Sequence, residues 1–105
     1  MATTTSKVLY RGAASVSPAT LYTVPTTSTT TVVTSIIVTN TDSSGATYSL
    51  TVDGTDIANT VTIAANDTVI IDIKQVIPAN ATPKTITGSA SATTVKFHIS
   101  GVEIA

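Results

Sequence analysis

Apolar and polar residues alternate along much of this chain with a period of two, and no stretch follows the 3.6-residue period of an amphipathic helix. In residues 47–52, Tyr48, Leu50 and Val52 share one parity while Thr47, Ser49 and Thr51 share the other. Near the C-terminus, Val95, Phe97 and Ile99 alternate with Lys96, His98 and Ser100. Successive side chains of a strand point to opposite faces, so these runs predict strands with one face in a core. Further strands are predicted over residues 8–11, 20–24, 32–40, 59–63, 68–73, 84–89 and 94–104. The run 32–40 stands apart. Its Val32, Val33, Ile36, Ile37 and Val38 occupy both parities, the pattern of a central strand covered on two sides.

The segments between these runs carry turn chemistry. Pro25 stops the second strand, Asp53-Gly54 signals a hairpin, and Gly45 in the turn 41–46 is free to take positive φ. Ala64-Ala-Asn-Asp67 is expected to join 59–63 and 68–73 as a strand pair, with Val69, Ile71 and Ile73 inward and Asp72 and Lys74 outward. Residues 78–83, bounded by two prolines, read as a rigid loop. About eight short strands, without significant helix or internal repeat, predict an all-β fold: one antiparallel β-sandwich of jelly-roll type. It is expected to span residues 8–105, after a flexible polar arm over residues 1–7.

Composition sharpens this picture. Thr and Ser make up about a third of the 105 residues, and charged residues only 10% against a typical figure of about 25%. β-branched Thr, Val and Ile favour strands because they pack well on a pleated surface. The net charge is −1, and Lys7, Arg11, Lys74, Lys84 and Lys96 are scattered rather than clustered. Nucleic-acid binding needs clustered cations with aromatics for stacking, and is not expected. No apolar run approaches the ~20 residues of a membrane helix, and the opening Met1-Ala-Thr-Thr-Thr-Ser-Lys7 predicts no secretory signal. With no cysteine, there are no disulfides and no thiolate metal sites.

Catalysis finds no foothold. His98 is the one histidine and lies on the outward parity of its strand beside Lys96, where a surface or interface role is the ordinary one. The aspartates sit mostly at turns, where the side chain bonds its own backbone. Asp53-Gly-Thr-Asp56 lacks the further alternating oxygens and closing glutamate of a calcium loop. Asn66-Asp-Thr68 and Asn80-Ala-Thr82 fit the glycosylation pattern, which a threonine-rich chain produces by chance. No cofactor or metal is expected, and no enzyme.

What remains is a surface suited to other proteins, because few charges means a small desolvation cost on docking. The candidate interface residues are Lys7, Tyr10, Tyr22, Lys96 and His98. The tyrosines, Tyr48 included, also suit the core of a chain with one Phe and no Trp. The Thr/Ser tract 26–31 reads as a solvated loop or edge strand in preference to a sugar-binding ridge.

Four segments carry a resemblance: Leu21-Tyr-Thr-Val-Pro25, Ile36-Ile-Val-Thr-Asn40, Ile63-Ala-Ala-Asn-Asp-Thr68 and Phe97-His-Ile-Ser-Gly-Val-Glu-Ile104. In strand-and-turn pattern, over most of its length, the chain resembles small structural proteins of tailed bacteriophages. The resemblance implies a β-sandwich of the virion, made in the bacterial host cytoplasm. The first expectation is a capsid decoration (cement) protein on the outer surface of the head. Its partners would be the major capsid protein or other virion proteins, and it would form a homo-oligomer, a trimer or dimer. The alternatives are a neck, tail or fibre accessory protein and, from another class, a carbohydrate-binding module. The resemblance maps no functional residue individually.

Overall fold

The computed structural model describes residues 4–24, 29–71, 74–78 and 84–105. Among them are nine strands and no helix: β1 (Thr4–Ala13), β2 (Ala19–Thr23), β3 (Thr30–Asn40), β4 (Ala46–Val52), β5 (Thr55–Ile63), β6 (Thr68–Ile71), β7 (Gln75–Ile77), β8 (Thr85–Ala90) and β9 (Val95–Ile104). One sheet runs β1-β9-β3-β6, with β7 also on β3, and the other runs β2-β8-β4-β5. β6 and β7 follow one another along β3, opposite residues 36–39 and 31–33. Counted as one strand they make eight. The first then pairs with the eighth, the second with the seventh, the third with the sixth and the fourth with the fifth. This is one long hairpin rolled into two antiparallel sheets, a jelly roll. The expected sandwich is the observed architecture.

Alternation fills the space between the sheets. From the five-stranded sheet come Val33, Ile36, Val38, Val95, Phe97, Ile99 and Ile77; from the four-stranded sheet come Tyr48, Leu50, Val52, Ile63 and Ile86, all buried. The two ends of the sandwich are closed differently. At one end Asn40 is fully buried: its Nδ2 donates to the carbonyls of Ser44 and Ala64 (2.9 and 3.3 Å), and its Oδ1 accepts from Asp42 N–H and Thr94 Oγ1 (3.1 and 3.2 Å). One side chain thereby ties three connecting segments together, and every polar atom it buries is satisfied.

Several expectations are corrected. Residues 4–7 are not a free arm but the first half of β1, paired with residues 101–104 of β9; backbone pairing needs no apolar side chain, so polarity misled. Residues 1–3 lie outside the described residues. The strands on either side of residues 64–67 do not pair with each other: β5 joins β4 in one sheet and β6 joins β3 in the other. The turn between them crosses the sandwich, held by Asn66 N–H to Asp42 O (3.0 Å) and Asn40 N–H to Asp67 O (2.9 Å), with Asn66 at φ 54°. Parity alone cannot tell a hairpin from such a corner. Val69 and Ile71 do pack on the core, while Asp72, Ile73 and most of the 78–83 loop lie outside the described residues. Gly45 does not take positive φ; Asp53 and Gly54 do (53° and 77°), as a tight hairpin turn requires. Thr60, at φ 51°, makes an irregularity on the edge strand β5, its N–H donated to Ser49 Oγ (2.9 Å). Such a kink interrupts the regular row of donors and acceptors that invites a further strand.

Candidate functional site

β3 is central, and the described residues bury one of its faces while leaving the other partly exposed. Val33, Ile36 and Val38 are buried between the sheets, while Val32 and Ile37 point away from them. The strand register shows what surrounds them. One row across the outer face runs Ser6, Val102, Val32, Val76 over β1, β9, β3 and β7. A second row, further along the strands, runs Arg11, His98, Ile37, Ile70 over β1, β9, β3 and β6. Ile70 is 69% exposed, Val76 65% and Val8 47%. Apolar side chains recur across this outer face, interrupted by Ser6, Ser35, Ser100, Arg11 and His98.

The face is also shaped. Between the two rows lie Val8, Ser100 and Ser35, and there both β1 and β3 carry a bulge, at residues 8–10 and 33–35. Small side chains and bulged backbone leave a trough of about 500 Å³ lined by Ser6, Lys7, Val8, Thr34, Ser100, Gly101 and Val102. Thr34, the extra residue of its bulge, donates from Oγ1 to Ser100 O across the trough floor (3.1 Å).

The predicted interface residues divide between this face and the interior. Lys96 and His98 stand on the outer face, half-buried, beside Arg11. Tyr10 points the other way: it packs on the core and donates its hydroxyl to Ala13 O (2.7 Å). Tyr22 is buried, its hydroxyl bonded to Thr31 and Glu103. Lys7 is engaged at the same end of the sandwich as Tyr22, its ammonium 3.3 Å from the Glu103 carboxylate and 6.0 Å from the Tyr22 ring centre. Sequence reasoning missed Arg11 and the outward valines and isoleucines. The signal was present in the double parity of residues 32–38.

Tyr22, Thr31, Glu103 and Lys7 form the polar closure of the second end. The Tyr22 hydroxyl donates to Glu103, so the Thr31 hydroxyl, 2.9 Å away, donates to the Tyr22 oxygen. Burial and the hydrogen bond to Glu103 push the Tyr22 phenol up to about 12. The donated Tyr22 hydrogen bond, with help from Lys7, outweighs burial and holds the Glu103 carboxyl below its ordinary 4.5. The signs follow by linkage. A carboxyl depressed in the fold adds stability that is full above pH 4.5 and lost as pH falls through its folded value; a phenol raised in the fold adds stability that is full below pH 10.0 and lost as pH rises through about 12. Glu103→Gln is therefore expected to flatten the acid limb of the stability profile, measured by urea unfolding between about pH 3 and 6. An acid limb unchanged in slope would show that the cluster does not couple to folding.

Among the described residues no group of three or more His, Asp or Glu side chains could hold a metal ion. Asp53 pairs with Lys84 (3.2 Å) and Asp56 accepts from Thr51 (3.1 Å), which is turn and strand chemistry. The outer face of the four-stranded sheet bears hydroxyls in register, including the row Thr20, Thr87, Thr51 ending at Asp56. No described aromatic side chain stands among them.

No family model and no curated protein sequence matches the chain. Among solved structures it is similar to a chain of the T13 viral particle of infectious bursal disease virus (TM-score 0.55, 13% identity), covering 98% of this chain and 30% of that one. It is likewise similar to a chain from the Gx strain of the same virus (TM-score 0.51, 18% identity), covering 99% of this chain and 31% of that one. At such identities the likeness is one of fold, and this chain spans less than a third of the length of either counterpart.

Proposed function

We propose that this protein is a non-enzymatic structural component of a virus particle, and that within the particle it is a decoration (cement) subunit on the outer surface of a tailed-bacteriophage head. The carrying observation is the apolar outer face of the five-stranded sheet, which the described residues leave partly exposed, with Val8, Ile70 and Val76 open to solvent. A jelly roll shared with chains of a virus particle supports the reading, as does the bacteriophage resemblance of the sequence. Fold alone does not fix function; the site must. A carbohydrate-binding role lacks the exposed aromatic platform it would need, because Tyr22 and Tyr48 are buried and Tyr10 packs on the core.

Each subunit docks its apolar face on the assembled shell and bridges neighbouring shell proteins. Binding that exists only in the closed shell stabilises that state by mass action, by about 2.7 kcal/mol per site at a free concentration a hundred times Kd. A homo-oligomer, trimer or dimer, would repeat the contact around a symmetry axis. The test is the copy number per purified particle, measured by quantitative mass spectrometry against the major shell protein. A ratio of one to one, or a simple fraction of it, is expected. A handful to tens of copies would move the protein to neck, tail or fibre, and absence from particles would overturn the virion reading.

A further inference from the structure

We infer that the trough and its flanking rows seat a protruding apolar segment of a partner protein that carries carboxylates, and that the segment's acidic end lies over Arg11, Lys96 and His98. The inference rests on the virion reading for which protein supplies the segment, but not for the chemistry of the seat. Arg11 and His98 open one row of the face, and Lys96 lies in the next row, opposite Ala13 and Thr39. The described ion pairs, Lys7 with Glu103 and Lys84 with Asp53, involve neither Arg11 nor Lys96. No described carboxylate stands on this face: Glu103 turns inward, and Asp42, Asp53, Asp56 and Asp67 belong to turns and to the other sheet.

That charge pattern selects among occupants. A second copy docked face to face would bring the same cations and no described carboxylate on that face, so such self-docking is poorly complementary. Nucleic acid would meet the cations but would have to bury Val8, Val32, Ile37, Ile70, Val76 and Val102 against phosphates. A protein segment with apolar side chains for the trough and aspartate or glutamate at one end satisfies both halves of the surface. The apolar part supplies most of the affinity, and the charges set orientation and exclude wrong partners.

The test uses the intact chain and two synthetic peptides, one with a leucine and valine core flanked by glutamates and the other with lysines in their place. Backbone amide shifts are followed by NMR during titration. The acidic peptide is expected to move the amides of Arg11, Ile37, Lys96, His98 and Ser100, and to bind at least about tenfold more tightly than its basic counterpart. Arg11→Glu with Lys96→Glu, both on the surface, is expected to remove or reverse that preference while the remaining amide spectrum stays that of the folded protein. Ile70→Ser, on the exposed side of β6, is expected to weaken both peptides alike. Equal binding of the two peptides, shifts confined to the four-stranded sheet, or stronger perturbation of the same amides by a single-stranded oligonucleotide would each overturn the inference. Copy number on particles is read independently, so a chain that enters particles in shell-like numbers yet shows no acidic preference refutes this inference and leaves the virion reading standing.

Discussion

Gly101→Ala is expected to destabilise the sandwich by about 3 kcal/mol, lowering Tm by roughly 15 °C in a domain of this size. Gly101 lies in β9 between β1 and β3, opposite Lys7 and Val33. A methyl group there would stand 2.3 Å from the carbonyl oxygen of Val32 and 3.0 Å from Leu9 Cδ1. The carbonyl belongs to the neighbouring backbone and cannot rotate away as a side chain can, so β9 and β3 must separate where they form the trough. Two other glycines serve as internal controls. At Gly88 the close atoms are the ends of Leu21, Leu50 and Phe97 side chains (2.9, 3.0 and 3.2 Å), which can shift, so Gly88→Ala costs less. At Gly45 the only neighbour is Ile63 O at 3.5 Å, an ordinary contact without positive φ, so Gly45→Ala stays within about 0.5 kcal/mol of neutral. Thermal or urea unfolding of the three variants checks the order. If Gly88→Ala proved as costly as Gly101→Ala, the argument from backbone rigidity would fail.

Strands were legible in the sequence where burial is one-sided. Residues 47–52 and 95–100 alternate cleanly because one parity meets the core and the other meets water, and their strands stand where alternation puts them. The route of the chain between sheets was not legible. Residues 59–63 and 68–71 carry the same alternation whether they close a hairpin or turn a corner; the corner is fixed by bonds from Asp42 and Asn40, which lie more than twenty residues earlier in the chain. The three-residue β7 was too short to announce itself, and only its register with residues 31–33 makes it a strand. The Tyr22–Glu103 contact joins residues 81 apart and had no local sign.

The outer face of β3 was half legible. The double parity of residues 32–38 foretold apolar groups on both sides of β3, and both sides are apolar: Val33, Ile36 and Val38 are buried between the sheets, while Val32 and Ile37 are half-buried on the outer face. Composition explains why this face stands out. With charged residues at 10% of the chain, two cations, Arg11 and Lys96, beside His98 on the apolar face of one sheet and a hydroxyl face on the other make the two outer surfaces chemically unlike. The docking proposed for this protein would use such asymmetry, with one face taken from water and the other left in it.

Phe97→Ala is expected to cost about 3–5 kcal/mol, as truncation of a buried aromatic does when the site cannot collapse. Phe97 is the only phenylalanine in a chain without tryptophan, and it is fully buried. It crosses the space between the sheets: its ring meets Tyr48 edge to face, with centres 6.3 Å apart and planes at 72°, and its Cε2 would lie 3.2 Å from a Cβ at Gly88. Tyr48 and Gly88 both belong to the four-stranded sheet, so one ring from β9 supplies contacts on which the sheet-to-sheet packing depends. A domain of this length has about 5–15 kcal/mol in total, so the variant is left marginal rather than merely weakened. The glycine beneath the ring gives a second reading of the same geometry. In the wild type a methyl at Gly88 crowds Phe97; once the ring is truncated, that methyl enters the vacated space. Gly88→Ala and Phe97→Ala should therefore be non-additive, the pair more stable than the sum of the two losses predicts. Leu21 and Leu50 still crowd that methyl, so the rescue is partial. Urea unfolding of the two single variants and the pair decides the matter, with a loss below about 1 kcal/mol for Phe97→Ala, or strict additivity, refuting the bridging role.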